Sequence, residues 1–430
     1  MAAVVAVEAA VAATDALLSF SIKADADTDA TSAVDKARVP FVSWANRMRT
    51  DLKEVTPGSH ISFDLECALS SLQDQAWLNI HETAKEKSRG LWREVYALVC
   101  LMQCALASTV DIVKAIRCAD LGLIVAGPEG RVGIGLQIAV LHLSSIAAET
   151  DFAETCATET SPSKRRRTEC APEVQVPVIR KPLLEVGNGT LSMEAFLVRH
   201  LALRVPVVVR GSCALWPAVE RWKDVAFWRD TPVGRRFVPV EVDYWFNRDF
   251  DLMTLRDFVA RCVETDSASV PPPGLSCGGY LAQHALLDQI PELGADVVTP
   301  DIALCGSEGH LMRAVFFGPK GTATPLHVDP YENAFCQVVG SKYVRLYPPA
   351  EAWRLYPSDE NSPLRNHSKL EPGDLLLGEK TDAYLEFPEF EKADFAETVL
   401  RAGDLLYLPR GWWHYVKSLS TSISVAFHFN

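Results

Sequence analysis

His327 and Asp329 stand two residues apart in the stretch PLHVDPYENAFCQVVGSKYVRLYPP. In an extended chain alternate side chains project to the same side, so one strand face offers an imidazole and a carboxylate together. Two histidines and one carboxylate can hold a mononuclear non-haem iron while leaving coordination positions open, which calls for a second, distant histidine. His414, in LPRGWWHYVKSL, is the candidate. An H-x-D pair alone carries little weight, because chance supplies one readily in a long chain.

The residues that follow add the weight. Read as one strand over 335–347, the chain puts Cys336, Val338, Gly340, Val344 and Leu346 on the face of Lys342, with Gln337, Ser341, Tyr343 and Arg345 opposite. An ammonium facing a packed interior is costly unless an anion meets it. No acid lies within the strand, so a bound dicarboxylate is the expected partner. The plain alternative is a lysine near a strand end that snorkels to water.

These residues need a rigid frame, and the second half of the chain is written as one. Short β-rich runs (VPVVVRG, FVPVEVDYW, MRAVFFG, GDLLYLP, SISVAFHF) are punctuated by Gly-Pro, Pro-Pro and Gly-Asp steps. This spacing suits a double-sheet jelly roll whose mouth holds a small ligand, with helical insertions such as 254–263 packed outside.

The first half reads differently. Leu65, Leu69, Leu72, Ala76, Trp77 and Ile80 recur at helical spacing. A helix apolar almost all round follows over 91–107, then a third from near Asp111, capped by Ser108 or Thr109, and a fourth over 132–148. The expected organisation is a mobile acidic segment over 1–44, a helical domain over 45–148, a flexible linker over 149–176 and a β-rich domain over 177–430. The linker carries a KRRR cluster at 164–167, readable as a nuclear import signal or as a solvated charge run.

Composition narrows the classes. A chain of 430 residues with formal net charge -13 is expected to hold two or three domains and to avoid nucleic acid. Its charge suits a basic protein or peptide. Eleven cysteines without a C-x-x-C spacing read as reduced thiols in an intracellular protein. The N-terminus lacks a basic residue before its apolar stretch, making a poor secretory signal. The apolar run 95–110 is short of a bilayer span, so no membrane segment is expected.

Five motifs, RVPVVVRGSCALWPAVERW, GYLAQHALLDQIPEL, FFGPKGTATPLHVDP, QVVGSKYVRLYPP and LPRGWWHYVKSL, resemble in order those of JmjC-domain 2-oxoglutarate oxygenases. The resemblance covers about 177 to 430. It implies an α+β chain in which an all-helical N-terminal domain precedes a double-stranded β-helix (jelly-roll, cupin-like) JmjC domain with helical insertions. It further implies Fe(II), 2-oxoglutarate and molecular oxygen as cofactors. His327, Asp329 and His414 are then the iron ligands. Lys342 pairs with the distal carboxylate of 2-oxoglutarate, helped by the hydroxyls of Tyr280 and Thr324. Asn333 lines the co-substrate side, and Glu241 receives a substrate guanidinium.

Two positions depart from the family pattern. His428 stands where the family carries aromatic residues and Phe316 where it carries a larger aromatic; His428 shares a strand face with Ser422, Ser424 and Ala426. His428 reads as a terminal surface residue, with a place beside the site as the alternative. Phe316 is expected to alter substrate fit.

Hydroxylation of an arginyl side chain in a basic protein is the first functional expectation, with succinate and carbon dioxide as co-products. Demethylation of histone methyl-lysine, as in a chromatin regulator, is the second, and a non-catalytic peptide-binding scaffold the third. A zinc hydrolase or sugar-binding cupin also uses two histidines and an acid, but has no need of Lys342 with Tyr280 and Thr324. The protein is expected to be monomeric and nuclear, with a cytoplasmic pool.

Overall fold

The computed structural model describes residues 63–82, 86–108, 110–158, 177–243, 249–264, 279–306, 311–362, 364–370 and 386–430. The expected segment 1–44 and the basic cluster at 164–167 lie outside them. The chain divides into two compact units.

Among the described residues one unit holds four helices, α1 (Phe63–Glu82), α2 (Glu86–Ala107), α3 (Ile112–Ala126) and α4 (Gly130–Thr158), together with residues 230–238 and 288–290. Leu69, Ala76 and Ile80 of α1 are buried, as their spacing requires, and residues 95–107 of α2 are buried throughout except Gln103. Ala76 and Ile80 pack on Val95, Tyr96 and Cys100. The cap of α3 differs from the expected one. Asp111 caps it, its carboxylate accepting from Lys114 N at 2.9 Å, whereas Ser108 Oγ turns back to donate to Ala105 O at 2.7 Å. A carboxylate is the better acceptor for the exposed first-turn N–H groups and complements the helix dipole. The fourth helix runs on to Thr158, ten residues into the expected linker.

A buried polar knot closes this unit. Asp120, fully buried on α3, accepts from Arg236 Nε at 2.9 Å and Nη2 at 2.7 Å, from Phe237 N at 2.7 Å and from Gln289 Nε2 at 2.8 Å. Arg236 Nη2 also donates to Gln289 O at 2.9 Å. The charges are opposite and the carboxylate is saturated with donors, the condition under which a buried ion pair is tolerated.

The second unit is a double-sheet jelly roll. Its strands are β1 (Glu185–Gly187), β2 (Val207–Arg210), β3 (Phe237–Asp243, whose first two residues belong to the helical unit), β4 (Asp249–Thr254), β5 (Leu281–His284), β6 (Leu311–Gly318), β7 (Ala323–Val328), β8 (Glu332–Val339), β9 (Ser341–Tyr347), β10 (Ala396–Arg401), β11 (Leu405–Leu408), β12 (Trp413–Ser418) and β13 (Ser422–Phe429). Seven form one sheet in the order β1-β2-β11-β8-β13-β6-β5, four form another in the order β10-β9-β12-β7, and β3 pairs with β4. Val208, Ala314, Phe335, Leu406, Leu408 and Ala426 of the large sheet pack against Val344, Leu346 and Leu400 of the small one. The core therefore lies between the sheets, as sandwich packing requires. The insertion expected over 254–263 forms a short helix, Leu255–Phe258, continued by a π-turn at Val259–Val263, with Thr254 as its cap.

The single strand expected over 335–347 is two strands. Gly340 has φ +72°, and a Cβ there would meet Thr421 O at 2.0 Å, so only glycine permits the turn. The chain leaves the large sheet at β8 and enters the small one at β9, which reverses the side-chain alternation. Lys342 and Val344 consequently share the cavity with Asn333 and Phe335 of β8, not with Cys336 and Val338. Cys336 interacts instead with the buried thiol of Cys213.

Candidate active site

Strands β7 and β12 run antiparallel with His414 directly opposite His327, so two histidines 87 positions apart become cross-strand neighbours with ring centroids 4.0 Å apart. Asp329 follows the end of β7. Its Oδ2 lies 3.8 Å from His327 Nε2 and 3.7 Å from His414 Nε2, and the ligating atoms of all three residues lie within 4.8 Å of one another. A divalent first-row ion with bonds of about 2.1 Å can span at most about 4.2 Å between two of its ligands, so both carboxylate–imidazole separations are within its reach.

The fold also sets the imidazole tautomers. His327 Nδ1 lies 2.7 Å from Pro325 O and His414 Nδ1 lies 3.2 Å from Trp412 O, each the carbonyl two residues earlier. A protonated Nδ1 donating to that carbonyl leaves the Nε2 lone pair facing the carboxylate. Burial, with the neighbouring His327 imidazole adding to it, pushes His414 down to about 3 and keeps it neutral. Burial opposes ionisation of Asp329, but the surrounding imidazoles, His414 and His327 foremost, outweigh it and hold the carboxyl below its ordinary value.

The other end of the cavity is built around Lys342. Its side chain is 1% exposed, and its Nζ donates to Tyr280 Oη at 3.3 Å. Tyr280 is buried and hydrogen-bonded to Thr324. Among the described residues no carboxylate pairs with the ammonium, whose other neighbours include the rings of Phe316 and Phe335, each with its centroid 5.4 Å from Nζ. Burial lowers Lys342 to about 7. The snorkelling alternative is thereby excluded, because the side chain points into the cavity and away from water.

The structure thus brings His327, Asp329, His414, Lys342, Tyr280, Thr324, Asn333 and Phe316 to one cavity. Glu241 is not among its lining residues; it is half-buried and joined to Tyr280 through a two-way backbone bridge of 2.9 and 3.0 Å. The reading of His428 as a terminal surface residue is corrected. It is 5% exposed on β13, lines the cavity, and has its Nε2 4.0 Å from Asp329 Oδ2. Strand β13 lies inside the large sheet, between β8 and β6, so a residue close to the end of the sequence is internal to the fold.

Two neighbours were not foreseen. His367 stacks on His327 with ring centroids 5.4 Å apart at 22°, brought there by a backbone bridge between the two residues. Gln283 lines the cavity with φ +50°, a conformation a glutamine adopts only under constraint. Nothing local to either residue signals this, although the alternation of small residues before His428 was such a signal for that side chain.

A family model described as a cupin-like domain matches residues 193–430. Lysine-specific demethylase JMJ30 of Arabidopsis thaliana is 33% identical over 84% of this chain and 85% of its own length. Lysine-specific demethylase 8 of Danio rerio is 34% identical over 78% of this chain and 80% of its own. Jumonji C domain-containing protein 5 of Drosophila melanogaster is 34% identical over 55% of this chain and 57% of its own. The chain belongs to the JmjC oxygenase family. It is a 2-oxoglutarate-dependent dioxygenase, and membership implies Fe(II) and 2-oxoglutarate. The JmjC cavity fits both: three ligating groups converge at one end, and at the other a buried ammonium, paired with no carboxylate of the described residues, bonds the Tyr280 hydroxyl, which Thr324 bonds in turn.

Proposed function

We propose that this dioxygenase hydroxylates an arginyl side chain in a basic protein or peptide. The observation that carries the reading of the cavity is Lys342, a buried cation with no acidic partner among the described residues, in the same cavity as a His-Asp-His cluster. When bound, iron and 2-oxoglutarate supply the chemistry, in which one atom of molecular oxygen enters a substrate C–H bond and the other enters succinate as carbon dioxide is lost.

The protein's own residues bind, orient and exclude water. His327 and His414 would hold the iron through Nε2, and Asp329 would supply the anionic ligand. Lys342 would pair with the distal carboxylate of the co-substrate, helped by the hydroxyls of Tyr280 and Thr324. Asn333 borders the co-substrate, and Phe316, packed between Tyr280 and Phe335, shapes the wall.

Glu241 supports the arginyl reading. Its strand is tied through the backbone to the cavity-lining Tyr280, and a carboxylate on that strand would suit a substrate guanidinium. The net charge of -13 favours a cationic partner as well. A second reading, demethylation of methyl-lysine, is supported by the names of the relatives, and it is the same oxygen insertion made at an N-methyl carbon. Mass spectrometry of arginine- and methyl-lysine-containing peptides incubated with protein, Fe(II) and 2-oxoglutarate tests the choice. Gain of one oxygen on arginine supports the first reading; loss of methyl with release of formaldehyde replaces it with the second.

The basic cluster at 164–167 supports a nuclear location with a cytoplasmic pool. A reporter fused to residues 160–170 is expected to enter the nucleus, and a purely cytosolic reporter overturns that assignment.

A further inference from the structure

Asn333 on β8 and His428 on β13 are direct partners in the antiparallel register, and both are buried. Asn333 Nδ2 donates to His428 Nε2 at 3.2 Å. The amide oxygen, Oδ1, is buried without a hydrogen-bond partner. A buried acceptor left unsatisfied is costly, so a group brought into this cavity is expected to satisfy it or turn it.

A carboxylate cannot satisfy it, because two acceptors repel. Turning the amide by half a revolution removes the conflict. Oδ1 then faces His428 Nε2, and Nδ2 takes the place of Oδ1 as a donor to the anion. The turn is possible only if the residue opposite can exchange roles. A neutral imidazole does so by carrying its hydrogen on Nε2 instead of Nδ1, with no change of charge. A phenyl ring at 428 could neither accept from the amide in one orientation nor donate to it in the other.

We propose that His428 is a positioning residue: it holds the Asn333 amide in the orientation that presents N–H to the carboxylate of the bound 2-oxoglutarate. His428 is not a fourth ligand, since the set of groups mutually within 4.8 Å consists of His327, Asp329 and His414. It acts on the co-substrate through Asn333. The inference rests on the proposed use of this cavity for 2-oxoglutarate.

Equilibrium binding tests it without turnover. The full chain is loaded with Mn(II), which supports no oxidation here, and 2-oxoglutarate is titrated by calorimetry under nitrogen. His428→Phe is expected to weaken 2-oxoglutarate binding about tenfold, the value of one hydrogen bond to a charged group, with Mn(II) affinity and melting temperature unchanged. His428→Gln, whose side-chain amide offers both a donor and an acceptor, restores most of the affinity. In an Asn333→Ala background His428→Phe has no further effect.

Undiminished 2-oxoglutarate binding by His428→Phe, or a loss that persists in full on the Asn333→Ala background, overturns the inference and leaves the proposed use of the cavity standing. Failure of the wild-type protein to bind 2-oxoglutarate overturns both. If His428→Phe does not fold, His428→Gln and Asn333→Ala decide: no rescue of affinity by glutamine relative to His428→Ala overturns the proposal.

Discussion

Two buried cations, Arg236 in the helical unit and Lys342 in the jelly roll, are treated in opposite ways. Arg236 meets Asp120 with two nitrogens, and the same carboxylate takes hydrogens from Phe237 N and Gln289 Nε2. Lys342 meets a tyrosine hydroxyl and aromatic faces, with no carboxylate paired to it among the described residues. A cation buried with its full complement of partners belongs to the architecture, whereas one buried short of an anion is prepared for a ligand. The protein stores in Lys342 a desolvation penalty that a bound anion would relieve.

The sharpest break of this contrast is at the ligand end. His327→Ala removes one of three ligating groups and is expected to abolish peptide-dependent succinate formation; unchanged turnover by the purified variant excludes the assignment. Lys342→Met should weaken 2-oxoglutarate binding by at least ~100-fold, the scale of an unpaired charge at a buried site. The same variant should raise the melting temperature of the ligand-free protein, because it removes a desolvated cation. Asp120→Ala should act in the reverse sense, costing about 3–5 kcal/mol of stability by stranding Arg236. Chemical denaturation followed on helix signal measures it, and 2-oxoglutarate affinity of the folded fraction should be unchanged.

The contrast can also be titrated. Burial brings Lys342 from 10.5 down to about 7, so the folded protein binds fewer protons than the unfolded chain between those values. Stability of the ligand-free protein therefore rises with pH from about 7 to 10.5, by the contribution of this group. Binding of the dicarboxylate requires the ammonium, so affinity should be greatest below about pH 7 and fall towards tenfold per unit above it. Calorimetric titrations across that range check the slope, which Lys342→Met should flatten. The smallest effect is at a helix end: Asp111→Ala removes the cap of α3 and should cost about 1 kcal/mol with no change in ligand binding.

Legibility from sequence followed the range of the interactions. The helical spacing of Leu69, Ala76 and Ile80 and the all-apolar run 95–107 were readable because helix burial depends on neighbours three and four residues away. The strand character of 422–429 and the place of Lys342 on an apolar face were readable for the corresponding reason at period two. The cap of α3 lies two or three residues beyond Ser108 and Thr109, because a serine hydroxyl can equally bond backward, as Ser108 does to Ala105 O. The alternation was carried too far through Gly340, where a glycine-only turn moves the chain between sheets. For His428 the alternation of Ser422, Ser424 and Ala426 hints at a cavity, but whether the strand is interior or at a sheet edge depends on pairing with distant strands, which SISVAFHF does not carry.

The amino-acid sequence by itself determined which chemistry was available: an imidazole and a carboxylate two apart, a lone lysine on an apolar strand, a second histidine and a run of strands long enough to enclose them. Tertiary structure decided which groups meet. The pairing of β7 with β12 sets His414 opposite His327, that of β8 with β13 sets His428 opposite Asn333, and the turn at Gly340 aims Lys342 at the cavity shared with Asn333 and Phe335. Side-chain type and alternation are local properties of a chain. Register between distant strands comes only from closing two sheets over a common core, where a shift of one residue turns every side chain to the other face.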